Sequence, residues 1–141
     1  MRKSETILQA LLAALSAGAP TGATVRRNVP IPVDVPPAGV LILRDGDPGE
    51  PDVLLSPLTY LFDHAAEIDV MTEGDDRDNR FDVLVTAVSG VLQADPTLGG
   101  LCDWVEARAP APVDLAEAGT DSFKAATLVV VLSYATTSPV G

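Results

Sequence analysis

The residue types that most often carry chemistry are scarce in this sequence. The single histidine, His64, lies midway along a predicted strand, and the single cysteine, Cys102, lies between two structured segments. A hydrolase triad requires a nucleophile, a base and an orienting acid that converge in space, and no serine lies in a Gly-x-Ser-x-Gly elbow. We therefore expect His64 to be a half-buried sheet residue and Cys102 to be a buried, unreactive thiol. The sequence predicts no catalytic residue.

The glycines and acidic residues do not complete the ligand-binding motifs that they partly resemble. The pair Gly99-Gly100 lacks the lysine and the spacing of a phosphate loop, so it predicts a turn. The stretch from Asp75 to Asn79 superficially resembles a calcium loop, but the following residues are helical and apolar, and helix capping explains its acids better. Nothing singles out a catalytic pair among the 20 acidic residues. The sequence thus predicts neither a metal nor a cofactor.

The composition is that of one acidic domain. The chain has 141 residues, of which 47% are hydrophobic and only 4% aromatic, so we expect residues 1–141 to form a single domain with an aliphatic core. The net charge of −11 argues against a groove that neutralises phosphates, and against docking on an anionic membrane. No apolar run is long enough to span a bilayer. We expect a protein that is made and kept in the cytosol.

Two helices are predicted to position these residues. The first runs from Ser4 to Ala17, with Ser4 as a candidate cap and Gly18 at its end. The second runs from Asn79 to Ala94, and Pro96 ends it. Each helix has an apolar stripe that is expected to face a core. The stripes are Ile7, Leu8, Leu11, Leu12 and Leu15 in the first helix, and Phe81, Leu84, Val85, Val88, Val91 and Leu92 in the second.

The strand predictions differ in strength along the chain. The clearest strand runs from Leu58 to Glu73, because one set of alternating positions is mostly apolar throughout. That face holds Tyr60, Phe62, Ala66, Ile68 and Val70. Shorter strands are predicted at Thr24 to Asn28 and at Gly39 to Leu43, and a central one at Phe123 to Thr136. Prolines should confine two further extended segments, Val29 to Val33 and Val105 to Val113, to sheet edges.

This order of elements predicts an α+β domain with a mainly antiparallel sheet of about five strands and two helices packed on one side. The acidic stretch from Asp45 to Asp52 is expected to be a solvated, mobile loop. Arg26 and Arg27 stand out in so acidic a chain. They predict either an ion pair at a strand edge or a contact with a neighbouring subunit, and the sequence does not decide between these alternatives.

Taken together, the elements resemble those of the tail terminator proteins of long-tailed bacteriophages and of gene transfer agents. The points of likeness span nearly the whole chain, beginning with the leucine-rich first helix and the strand Val25-Arg26-Arg27-Asn28. The long strand follows with Glu67-Ile68-Asp69-Val70, and the second helix with Asp95-Pro96-Thr97-Leu98-Gly99-Gly100-Leu101. The closing strand carries Leu132-Ser133-Tyr134-Ala135-Thr136. These are short motifs in a characteristic order, without a chemical signature.

The resemblance implies a structural virion protein without enzymatic activity or cofactor. Subunits of this family form a six-membered ring at the junction of tail and neck, after assembly in the host cytoplasm. The ring caps the finished tail tube, stops its growth and meets the head completion proteins, and DNA passes through its bore without specific binding. Another head–tail joining or neck protein is the first alternative, and a small acyl-transfer enzyme is the second.

On this interpretation, two groups of charged residues become candidate contact sites. Arg26, Arg27 and Arg108 are expected at the interface between subunits. Asp45, Asp47, Glu50 and Asp52 are expected to contact the tail tube or the neck.

Overall fold

Two helices and a mixed sheet of seven strands make up the described part of the chain. The computed structural model describes residues 1–32, 34–110, 113–115 and 123–141. The helices are α1 (Lys3–Gly18) and α2 (Arg77–Ala94). The strands are β1 (Thr24–Arg27), β2 (Val40–Asp47), β3 (Asp52–Leu55), β4 (Leu58–Glu73), β5 (Trp104–Ala107), β6 (Val113–Leu115) and β7 (Phe123–Thr136). The α+β class is confirmed.

The sheet is mainly antiparallel, as expected, but its strand count and chain order differ from the prediction. Its order is β1-β2-β4-β7-β5, with β3 also paired to β4 and β6 also paired to β7. Only the pairing of β1 with β2 is parallel among the described strands. The described elements therefore run helix, four strands, helix, three strands, and the expected count of about five strands is wrong.

The two longest strands, β4 and β7, are neighbours in the interior of the sheet. β7 pairs with β4 along its whole length, from Thr136 opposite Tyr60 to Phe123 opposite Glu73. The bounds of β4 were predicted from alternation, which persists because one of its faces is buried. Those of β7 were predicted from a run that is apolar on both faces. The central position of β7 is also confirmed, since it lies between β4 and the short strands β5 and β6.

The core is one aliphatic cluster that both helices share with alternate residues of the sheet. The predicted stripe of α1 is buried at Ile7, Leu8, Leu11 and Leu15, and that of α2 at Phe81, Leu84, Val88 and Leu92. The sheet contributes Leu41, Leu43, Phe62, Ala66, Ile68, Val70, Leu128, Val130, Leu132 and Tyr134. Burial of these side chains is the main source of stability for the fold.

Three segments depart from the predicted structure. The stretch from Asp45 to Asp52 is not a loop, because β2 continues to Asp47 and β3 begins at Asp52, which leaves a connection of residues 48–51. Val29 to Pro32 form no strand, and Val33 lies outside the described residues. The predicted strand from Val105 to Val113 is divided into β5 and β6, and residues 111–112 lie outside the described part.

The predicted helix caps are only partly correct. Arg2 occupies the N-cap position of α1 and makes no side-chain capping bond, whereas Ser4 is buried within the first turn. Asp76 occupies the N-cap position of α2, also without a side-chain capping bond. Asp78 instead forms an ion pair of 3.0 Å with Lys124 of β7. Neither α1 nor α2 has the length of apolar sequence that crossing a bilayer requires.

Candidate functional site

His64 and Cys102 are both buried, and each has a structural explanation. His64 lies on β4 with 4% of its surface exposed. Its Nδ1 lies 3.2 Å from the hydroxyl oxygen of Tyr134, and its Nε2 lies at hydrogen-bond distance from the backbone carbonyl oxygen of Asp45. Both ring nitrogens therefore have partners inside the fold, which leaves the imidazole engaged in linking β2, β4 and β7.

The surroundings of Cys102 favour the protonated thiol. The side chain is buried in the aliphatic cluster, and burial raises the pKa of the Cys102 thiol to about 11. Because the thiolate is the reactive form of cysteine, a raised pKa suppresses nucleophilic chemistry at neutral pH. This matches the prediction of a buried thiol. Among the residues that the structure describes, no group of three or more His, Cys, Asp or Glu side chains is placed to hold a metal ion.

The segment after α2 is a turn that is built from its own side chains. The Asp95 carboxylate accepts a 2.8 Å hydrogen bond from the Gly99 backbone N–H, and the Thr97 carbonyl accepts one of 2.9 Å from the Cys102 N–H. Leu98 is buried beneath the turn. The predicted turn at Gly99-Gly100 is confirmed, and the backbone donors at Gly99 and Cys102 are occupied within the segment.

Arg27 is the centre of an ion-pair cluster that ties α1 to the sheet. Its Nη1 and Nη2 donate to the two carboxylate oxygens of Glu5 at 2.8 and 2.7 Å, and its Nε donates to Oδ1 of Asp45 at 2.9 Å. The Asn28 side chain also donates to Asp45, at 2.9 Å. All three guanidinium nitrogens therefore have partners within the subunit. Of the two alternatives for Arg27, the structure shows the ion pair.

This cluster predicts a specific loss of stability in acid. The Arg27 hydrogen bonds lower the pKa of Glu5 from 4.5 to about 2. A carboxylate whose pKa is lower in the folded state stabilises the fold above its unfolded pKa, and this contribution disappears as pH falls from about 4.5 towards about 2. Wild-type protein should therefore unfold at a higher temperature than Glu5→Gln at about pH 7, and the difference should be much smaller at about pH 2.5, which approaches the folded-state pKa of Glu5.

Thermal unfolding of both proteins at the two pH values tests this expectation. Asp82→Asn, which removes an exposed carboxylate of α2 outside the cluster, is the control for the general loss of negative charge. A wild-type advantage over Glu5→Gln that persists undiminished in acid would contradict the role assigned to the Glu5 carboxylate.

The other charged candidates differ in their contacts within the subunit. Asp45 is held by Arg27 and Asn28, and the carboxylate of the exposed Asp47 accepts a 2.9 Å hydrogen bond from the Gly49 N–H. Glu50 and Asp52 are exposed as well, in and beside the connection from β2 to β3.

Arg26 and Arg108 are exposed as well. The expected contacts with other chains stay predictions for all of the candidates, which are Arg26, Arg27, Arg108, Asp45, Asp47, Glu50 and Asp52.

The most conspicuous exposed feature is an apolar β-hairpin that the sequence did not reveal. We call it the arm, and it consists of β3, the Ser56-Pro57 connection and the first residues of β4, from Asp52 to Leu61. Its strands pair from Asp52 opposite Leu61 to Leu55 opposite Leu58. The exposed fractions of its apolar side chains are 47% for Val53, 52% for Leu54, 83% for Leu55 and 48% for Leu58. Contiguous exposed apolar patches are typical of interaction sites.

A groove lies on the sheet face opposite the buried cluster, which we call the second face. The groove crosses the sheet along two rows of residues that are paired between neighbouring strands. One row is Val40, Met71 and Ala125, and the other is Ile42, Asp69 and Thr127. Ile31 and Pro32 form one wall, and the volume is about 580 Å³. Its one acidic side chain, Asp69, is engaged by Arg44 at 2.6 Å and by the Thr127 hydroxyl at 2.7 Å. The rest of the lining is largely apolar.

A third exposed feature is Trp104 at the edge strand β5. Its exposed fraction is 53%, and it borders a smaller cleft of about 320 Å³ between β5 and the end of α2, with Leu92 and Pro96 in the lining. Tryptophan is enriched among the residues that contribute most to protein–protein binding. The arm, the groove and Trp104 are thus three separate surfaces with the character of contact sites.

Comparisons with family models and with curated proteins assign no function to these surfaces. No family model matches the chain, and no curated protein matches it either.

Proposed function

We propose that this chain is a structural subunit of a phage-type tail, a tail terminator whose ring caps the finished tail tube and joins the tail to the head or neck. The observation that carries the proposal is the exposed apolar arm. Full burial of a fully exposed aliphatic side chain is worth roughly 1.5–3 kcal/mol, and because three of the four side chains are already about half buried, each of these three would contribute about half of that. Four such side chains on one hairpin favour contact with a partner.

The arrangement of the sheet supports an assembly protein over an enzyme. We infer that both helices cover the same side of the sheet, because α1 and α2 share one buried cluster with alternate residues of β4 and β7. The second face then remains for contacts with other chains. The chemically versatile side chains His64 and Cys102 are buried inside the subunit, whereas the exposed features are apolar surfaces of the kind that bind proteins.

The charge of the chain fits a ring through which DNA passes. With a net charge of −11, the subunit repels the phosphate backbone and does not retain it. Repulsion suits a bore that must let DNA through without specific binding. In this assignment the protein is a component of the virion, or of a gene transfer agent, located at the tail–neck junction.

Deleting the gene in producing cells tests the proposal, and we expect tails of abnormal, mostly excessive length that are not joined to heads. The physical reason is that nothing then terminates the addition of tube subunits. Tail lengths and head attachment are measured by electron microscopy of negatively stained lysates. Expression of the wild-type chain from a plasmid should restore a single length and the attached heads, which controls for effects on neighbouring genes.

Other outcomes separate the alternatives. Tails of normal length that remain unattached to heads would replace the terminator assignment with a neck or head–tail joining role. Normal particles in normal numbers would contradict a virion function altogether and would favour an enzyme.

A further inference from the structure

The arm and the groove lie at opposite ends of the same strand. The arm includes the start of β4 at Leu58, and the groove includes Asp69 and Met71 near its end. A strand advances about 3.3 Å per residue, so these two features are roughly 40 Å apart within a subunit. The arm of a subunit therefore does not reach the groove of that same subunit.

The two surfaces are complementary in chemistry. The arm presents aliphatic side chains on both of its faces, because Val53 and Leu55 alternate with Leu54 along β3. The groove is lined by Ile31, Pro32 and Met71, and Val40 and Ile42, which are 1% and 2% exposed, form its apolar floor. Contact between the aliphatic arm and the aliphatic groove buries no unpaired carboxylate, because Asp69 is already engaged by Arg44 and Thr127.

The charges beside the two surfaces are also complementary. Glu50 and Asp52 lie exposed at the base of the arm. Arg26, which is exposed on β1, lines a cleft that continues the groove past Pro32, Val40 and Ile42. An arm that enters the groove of another copy brings acidic residues towards this basic one, and opposite charges at the rim of an interface favour the correct orientation.

We propose that the arm of one copy of this chain docks in the groove of the next copy, so that the subunits associate head to tail. This inference rests on the proposed function and specifies its interface between subunits. A contact between two different surfaces of one molecule generates a closed ring when its rotation closes. The interface uses Leu55 and Leu54 as apolar anchors and Arg26 at the rim, so that Glu50 and Asp52 face the neighbouring subunit instead of the tail tube.

The test uses one variant for each surface and measures mass in solution by sedimentation and light scattering. Leu55→Asp places a charge on the arm, and Ile31→Asp places one on the wall of the groove. Both side chains are exposed, at 83% and 55%, so the fold should tolerate the changes. We expect wild type to sediment as a closed ring, and each variant to have the 14.6 kDa mass of one chain.

Mixing the two variants is the decisive step. Leu55→Asp retains an intact groove and Ile31→Asp retains an intact arm, so a head-to-tail interface can form once between them. We expect an equimolar mixture to yield a species of twice 14.6 kDa that grows no further. Val83→Asp, which charges an exposed apolar residue of α2, should sediment like wild type.

Three results would overturn the inference. The first is a wild-type chain that stays monomeric at its highest soluble concentration. The second is a ring that survives Ile31→Asp, because an arm that pairs with another arm would not need the groove. The third is a mixture of the two variants that remains monomeric although each variant melts cooperatively. These results concern only the interface, whereas the deletion experiment tests tail termination, so either proposal can fail alone.

Discussion

Replacing Gly46 with alanine is expected to lower the free energy of unfolding by about 3 kcal/mol or more. Gly46 has a φ of +69° at the point where the register between β2 and β4 shifts. A Cβ atom there would overlap the backbone carbonyl oxygen of Ala65. Because that oxygen belongs to the paired strand, the clash is relieved only by moving β2 away from β4. The measurement is denaturant unfolding at a concentration where the chain is monomeric.

Gly49→Ala is the matched control for this substitution. Gly49 has the same φ of +69°, but a Cβ atom there would lie 4.0 Å from the nearest neighbour, the Asp63 carbonyl oxygen. Its cost should be only that of a left-handed backbone conformation in an alanine, about 1–2 kcal/mol. The difference between the two variants isolates the close approach of the strands. Equal losses of stability would show that backbone conformation, and not this approach, makes glycine necessary at position 46.

The same glycine explains why the sequence misrepresented this region. Asp, Gly and Pro are residue types that are depleted in strands, and they make up the segment Asp45-Gly46-Asp47-Pro48-Gly49. The composition of this segment therefore indicated a loop. The glycine instead accommodates an irregularity within a strand. β3 was missed because it is only four residues long and all of its residues are exposed, so no burial pattern marks it. By contrast, the bounds of β4 were predictable because burial of one face imposes alternation over many residues. Those of β7 were predictable because its run is apolar on both faces.

The candidate surfaces were less predictable than the fold. An exposed leucine has no signature in a sequence, since much of any protein surface is apolar. One available signal was the short polar connection Ser56-Pro57 between Val53-Leu54-Leu55 and Leu58, which is typical of a hairpin. The partners of Arg27 were not predictable, because Glu5 and Asp45 are distant in sequence and meet only after α1 packs against the sheet. The groove likewise exists only after β2, β4 and β7 are aligned.

A pair of identical substitutions should separate the folding role of leucine from its assembly role. Leu43 of β2 is completely buried, in register with Ile68 of β4, whereas Leu54 of the arm is 52% exposed. Removing a buried leucine side chain leaves a cavity, so Leu43→Ala should cost about 2–5 kcal/mol of unfolding free energy. Leu54→Ala should cost no more than about 0.5 kcal/mol in the monomer. It should nevertheless weaken association, because the arm then buries less apolar surface in the next subunit.

Both substitutions should be compared in the Ile31→Asp background, which is expected to hold the chain as a monomer. Association otherwise adds to apparent stability by mass action and would make Leu54 look like a core residue. In that background, denaturant unfolding reports folding alone, and sedimentation of the same substitutions in wild type reports assembly. A loss of monomer stability from Leu54→Ala as large as that from Leu43→Ala would show that the arm is packed within its own subunit. The arm would then not be available as a docking element, and the apolar surface that carries the assembly proposal would have a purely structural explanation.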